Sequence, residues 1–219
     1  MNWNSKCLEG DKIIKDENGE AKKTLVSYSS DRVKRAVHLL RDPFDNIVSR
    51  FHLEYNEFVQ NSEVQNIVRK NETQNMTQFP KSREGFLAFC RDKDRRFGEE
   101  EGSTVAYRDV FADEAMRNVP CRADFYRYIQ WHNLAATTLW DLRLPTLVLH
   151  YENYTHNFDR TKELLLEFLE QEDVHEPPPF VTGKSYREYF TEAEIRAVSS
   201  MFSTLAMANT WELTKHYFT

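Results

Sequence analysis

The stretch Ala36-Val37-His38-Leu39-Leu40-Arg41-Asp42-Pro43-Phe44-Asp45 constrains this chain more than any other. Residues 35–40 form an apolar run without polar alternation, which predicts a strand buried on both faces. Asp42 has the form of an N-cap and Pro43 that of a first helical residue, where a missing N–H costs nothing. Phe44, Ile47, Val48, Phe51, Tyr55 and Phe58 then recur at helical spacing and predict a helix to about residue 59 with one buried face. Arg41 is thereby fixed at the carboxyl end of a strand, and Ser49 follows two turns into the next helix, off its apolar side. In open α/β sheets that end of the strands is where phosphate-bearing ligands settle. A guanidinium is a rigid, permanently charged fork suited to a phosphate, and the Ser49 hydroxyl can share the same group.

The rest of the chain repeats the alternation of strand and helix. Residues 1–23 are polar and are expected to form a loose arm, followed by a short strand at 24–28. Residues 61–80 are weakly patterned, 86–89 read as a helical turn, and the charge run 91–102 reads as a solvated loop. An amphipathic helix is expected over 123–142, a buried strand over 146–152 and a helix over 158–169 whose Leu164, Leu165, Phe168 and Leu169 face inward. Thr191-Glu192-Ala193-Glu194 has the form of a capping box, so a last helix is expected from 192 to about 208. Strands joined through long helical crossovers imply an α/β fold of three layers, a mostly parallel sheet flanked by helices. At 219 residues, one domain covering 1–219 is expected, with 60–122 as a variable insertion.

Composition excludes several functions. With 40% hydrophobic and 29% charged residues the chain suits a globular protein. A net charge of −6 leaves no basic stripe for nucleic acid. No run approaches the roughly 20 apolar residues of a membrane span. Cys7, Cys90 and Cys121 lack metal-ligand spacing, so no metal is expected. Cys90 and Cys121 either bridge across the charged segment between them or remain separate thiols. Glycosylation acceptor patterns at Asn71, Asn75 and Asn153 lean towards the secretory pathway.

Three blocks in order, Arg41 to His52, Trp131 to Tyr154, and Thr182-Gly183-Lys184-Ser185-Tyr186-Arg187-Glu188-Tyr189-Phe190-Thr191, carry a resemblance. Together they are similar to the sulfotransferases that use 3′-phosphoadenosine-5′-phosphosulfate (PAPS), whose fold is of the P-loop-NTPase type. The first block resembles that family's 3′-phosphate motif, which implies that Arg41 and Ser49 bind the cofactor. In the second, Leu147-Val148-Leu149-His150-Tyr151-Glu152-Asn153-Tyr154 follows a helix carrying Trp131, as in the family. There Tyr151 would lie beside the nucleotide and could stack on adenine. The third block implies Lys184 and Arg187 as phosphate contacts. The resemblance further implies PAPS as co-substrate and transfer of its sulfuryl group to a hydroxyl or amine acceptor. A carbohydrate acceptor and the Golgi lumen are favoured by the acceptor patterns and the two cysteines.

The chain also departs from that family. Nothing ahead of Arg41 matches its 5′-phosphosulfate loop, of the type Pro-Lys-Ser/Thr-Gly-Thr-Thr-Trp, so the first part of the sheet is expected to be missing. Thr24-Leu25-Val26-Ser27-Tyr28-Ser29 resembles the family's next strand without its lysine and catalytic histidine. No catalytic residue is assigned. The expectation is a weakly active transferase, either truncated or degenerate, with a non-catalytic binding module of the same fold as the alternative.

Overall fold

A computed structural model describes residues 6–15, 21–29, 32–68, 79–100, 114–174 and 185–219. Strands β1 (Lys6–Lys15) and β2 (Ala21–Ser29) pair antiparallel, from Lys6 opposite Ser29 to Lys15 opposite Ala21. The expected loose arm over 1–23 is therefore corrected for Lys6–Lys15 and for 21–23, which belong to β2. The strand signal in the sequence is the apolar Leu8, Ile13 and Ile14 ahead of the Leu25-Val26 segment, with the turn-favouring dipeptide Asn18-Gly19 between them.

Strand β3 (Ala36–Leu40) and strand β4 (Thr146–His150) pair in parallel, in register from Ala36–Thr146 to Leu40–His150. The connection between them is helical, as a parallel pair requires. Among the described residues this sheet has two strands, where a mostly parallel three-layer sheet was expected, and helices dominate. The order of strand and helix remains loosely that of an α/β protein. Nor is β3 buried on both faces: His38 and Leu40 are covered, while Val37 and Leu39 are exposed. Strand β4 ends at His150, two residues earlier than expected, because Tyr151 already opens a helix.

Helix α1 (Pro43–Val68) starts as its sequence predicts. Asp42 Oδ1 accepts the backbone N–H of Phe44 at 2.8 Å and lies 3.4 Å from that of Asp45. The helix runs past residue 59 because no glycine or proline occurs from Phe44 to Phe79. Helix α2 (Arg83–Glu100) replaces the expected solvated loop. Arg95 and Arg96 pair along it on Asp92 at 2.9 and 2.8 Å, Lys93 pairs with Glu54 of α1 at 2.8 Å, and Phe86, Phe89, Cys90 and Phe97 are buried. Part of the segment read as a variable insertion thus supplies the core. A Cβ at Gly85 would sit 1.8 Å from the Pro80 carbonyl oxygen, so glycine is required there.

Helix α3 (Glu114–Arg117) and helix α4 (Arg122–Asp141) follow, then α5 (Tyr151–His156) and α6 (Phe158–Leu169). The α6 bounds agree with the sequence, although Leu164 is exposed rather than inward. A 3-10 turn, Arg187–Tyr189, leads into α7 (Glu192–Leu205). Its capping box is complete: Thr191 Oγ1 accepts the Glu194 N–H, and Thr191 N–H donates to Glu194 Oε2 at 2.7 Å. The helix stops three residues short of the expected end, and α8 (Ala208–Thr214) begins a new direction.

The core is aromatic. Phe44 meets Phe125 and Phe190 edge-on, at centroid distances of 5.6 and 4.9 Å, and Phe125 meets Phe202 likewise at 6.2 Å. This joins α1, α4 and α7 through the favoured tilted geometry of aromatic pairs. Cys90 and Cys121 form a disulfide between α2 and the start of α4, with Cα atoms 4.3 Å apart. Cys121 has a left-handed backbone, φ 53°, and offers α4 no side-chain cap. Asp94 supplies it instead, accepting the Ala123 N–H at 2.9 Å. Among the described residues no helix is long and apolar enough to cross a membrane. We expect Cys90→Ser to lower stability by about 3–4 kcal/mol, the loop-closure value for a bridge of this span. Urea unfolding with and without reductant checks this, because reduced wild type should match the variant.

Candidate functional site

The parallel register decides what stands at the strand tips. Leu40 is level with His150, so the next residues, Arg41 and Tyr151, emerge side by side at the carboxyl ends. The Arg41 guanidinium lies 4.6 Å over the Tyr151 ring, a cation–π contact. The backbone of the Arg41 tip is held as well. Its carbonyl accepts the Tyr128 hydroxyl at 2.7 Å, and the Asp42 N–H donates to Glu152 Oε1 at 2.8 Å. The other Glu152 oxygen accepts the Tyr217 hydroxyl at 2.8 Å. His150 Nδ1 lies 2.7 Å from that same hydroxyl oxygen. With the hydroxyl proton given to Glu152, Nδ1 is the donor in this second bond.

Beside the tips lies a hollow of about 310 Å³, open to solvent, whose lining includes Arg41, Ser49 and Tyr151. Three of the residues singled out from sequence therefore converge on one cavity. Helix α1 lines it with Asp45, Ser49, His52 and Asn56, a polar stripe at spacings of four, three and four residues. The apolar positions of the same helix, Phe44, Ile47, Val48 and Phe51, are buried on its other side. Leu53, Glu152, Thr155 and Tyr186 complete the rim.

One residue named from sequence is elsewhere. Arg187 does not line the hollow. Its guanidinium donates to the Tyr217 carbonyl, packs 4.8 Å over the Phe44 ring, and lies 3.8 Å from Asp42 Oδ2. Lys184 lies outside the described residues, as do Asn71 and Asn75. Tyr151 turns a ring face to Arg41.

Asp45, His52, Glu152 and Tyr186 were not singled out as site residues. The three-and-four spacing of Asp45, Ser49, His52 and Asn56 was the available signal for those on α1. His52 Nε2 lies 3.0 Å from the Tyr189 hydroxyl, and its ring stands edge-on to Tyr186 at 4.9 Å. Asp45 Oδ1 accepts the Tyr186 N–H at 2.7 Å. Burial pushes the Asp45 carboxyl above its ordinary range, opposed by that N–H and by Arg41. Burial, reinforced by Asp45, also pushes Asp42 up, to about 6. The hollow thus combines one stacked cation, the Ser49 and Thr155 hydroxyls, two tyrosines and an imidazole with two carboxylates. It can grip a single anionic group, against repulsion from Asp45 and Glu152. Among the described residues no group of three or more His, Cys, Asp or Glu is arranged to hold a metal ion.

Of the other described histidines, none lines the hollow. His38 and His132 are buried between β3 and α4 with Nε2 and Nδ1 2.8 Å apart, so one ring donates and the other accepts. Burial, then His38, drives His132 down to about 3, and burial lowers His38 as well. Both folded values lie below that of a free histidine near 6.5. The stability they contribute is therefore present above pH 6.5 and lost as pH falls from there towards 3. Asp42 and Asp94, raised to about 6, act in the opposite sense: their contribution is full below 3.8 and fades as pH rises through 6. We expect His38→Leu/His132→Leu to lose less stability between pH 6.5 and 4.5 than wild type. Unfolding free energy measured by denaturant at each pH is the readout, and equal slopes would refute the assignment.

Comparison of the chain with models of protein families, with curated proteins and with solved structures finds no match.

Proposed function

We propose that the hollow at Arg41 holds the 3′-phosphoadenosine end of PAPS, and that the protein is a sulfotransferase-type enzyme of P-loop-like fold acting on a hydroxyl or amine, favoured as a carbohydrate. The observation that carries this reading is the meeting of Arg41, Ser49 and Tyr151 in one cavity at the carboxyl ends of parallel strands. Arg41 and the Ser49 hydroxyl are the donors for the ribose phosphate. In the transfer, the acceptor oxygen or nitrogen bonds to sulfur while the bond from sulfur to the 5′-phosphate oxygen breaks. The products are the sulfated acceptor and 3′,5′-diphosphoadenosine, and the acceptor's proton leaves to a base. The Cys90–Cys121 disulfide suits an oxidising compartment such as the Golgi lumen.

A second reading, a non-catalytic binding module, is favoured by the makeup of the lining. Among the described residues the lining of the hollow has no lysine and two carboxylates, a poor setting for charge developing on a transferred sulfuryl group.

The expected result is that 3′,5′-diphosphoadenosine raises the melting temperature of the full chain and that Arg41→Ala removes the shift. Loss of a hydrogen bond to a charged group is worth about 1.5–3 kcal/mol, roughly ten- to a hundredfold in affinity. No shift in wild type defeats both readings. A shift without sulfate transfer to hydroxyl and amine acceptors selects the second. Separately, Asp45→Asn keeps the oxygen that accepts the Tyr186 N–H but removes a like charge. It should tighten the nucleotide by roughly tenfold, about 1.4 kcal/mol, measured by titration calorimetry.

A further inference from the structure

Another hollow, of about 480 Å³, lies over the Cys90–Cys121 disulfide and shares no lining residue with the one at Arg41. Arg91, Arg95, Arg117 and Arg122 line it, against only two acids, Asp94 and Glu194. Both acids already have partners, Asp94 including Arg122 of the same lining. Asp94 accepts the Ala123 N–H at 2.9 Å, and Glu194 takes Arg83 Nη2 on its two oxygens at 3.0 and 2.9 Å while closing the capping box. Of the arginines, Arg95 is paired with Asp92. Arg91 and Arg117 are exposed and make no ion pair among the described residues. Asn118 adds an amide, and Leu87, Val119 and Pro120 add apolar surface.

We infer that this hollow is a binding site for an anionic saccharide, with Arg91 and Arg117 gripping its sulfate or carboxylate groups. Guanidinium forks match both groups in planar, two-point contacts. The cavity is of the size that takes an organic ligand rather than an ion alone. Asn118 suits sugar hydroxyls, and the apolar side chains suit the C–H faces of a ring. The disulfide fixes the floor, because it ties the segment bearing Arg91 to the turn that follows Arg117.

The test uses the full oxidised chain, with a sulfated disaccharide, its desulfated counterpart and sodium sulfate titrated by calorimetry at low salt. The sulfated disaccharide should bind, and R91Q/R117Q should weaken it tenfold or more with an unchanged circular dichroism spectrum. R117E, a single change at an exposed position, should weaken it likewise. R41Q should leave it intact. Equal affinity in the arginine variants, equal binding of the desulfated sugar, or binding of free sulfate as tight as that of the disaccharide overturns the inference. Because 3′,5′-diphosphoadenosine is titrated alongside, its failure to bind wild type would count against the Arg41 reading and leave this one standing.

Discussion

The candidate site depends on the pairing of two short parallel strands in one register. Five residues of β3 are matched with five of β4, and the last pair, Leu40 with His150, sets Arg41 and Tyr151 at the same height. A slip of one residue would move every side chain of one strand to the opposite face. The guanidinium would then lose the ring beneath it, and Glu152 would no longer reach the Asp42 N–H. Few strand residues enforce this register, so much of the fixing falls to side chains around them. Tyr128 ties the Arg41 carbonyl to α4, and Tyr217 ties Glu152 to the chain after α8.

Behind the tips, the aromatic cluster supplies stiffness. Phe44 belongs both to the first turn of α1 and to the core, packed between Phe125 and Phe190 with the Arg187 guanidinium over its ring. The helix that displays Asp45, Ser49, His52 and Asn56 is thereby held by its opposite side. One sequence period of about 3.6 residues thus does two jobs, burying phenylalanine at some positions and presenting polar groups at others. Arg187 illustrates how a basic residue next to a candidate site becomes structural: it bridges Phe44, Asp42 and the Tyr217 carbonyl instead of facing the cavity.

Features with local causes were legible in the sequence. The Asp42–Pro43 helix start, the helix Phe158–Leu169 and the Thr191–Glu194 capping box each rest on hydrogen bonds or apolar spacing within a few residues. Arg41 and Ser49 were placed from the strand–turn–helix context and Tyr151 from the resemblance of the second block, and the three share a cavity. What failed depended on distant partners. The extent of the sheet is set by pairing between strands far apart in sequence, and a resemblance in three blocks carried no information on how many strands join. The charge run in α2 read as solvated because its buried Phe97 was outweighed by six neighbouring charges in composition, although Arg95 and Arg96 each pair with Asp92 on the outer face. The buried His38–His132 contact and the removal of Arg187 from the hollow both needed coordinates.

The seating of Arg41 bears on how a ligand would be received. Ordering a free arginine side chain is costly in conformational entropy, and an exposed one bears that cost at the moment of contact. Here the ring of Tyr151 and the anchored main chain have already narrowed its rotamers before anything arrives. The loss is met during folding, by the same packing that keeps the strand tips level. An incoming anion would therefore find a fork already aimed, and discrimination among anions would fall to the shape and charge of the surrounding wall.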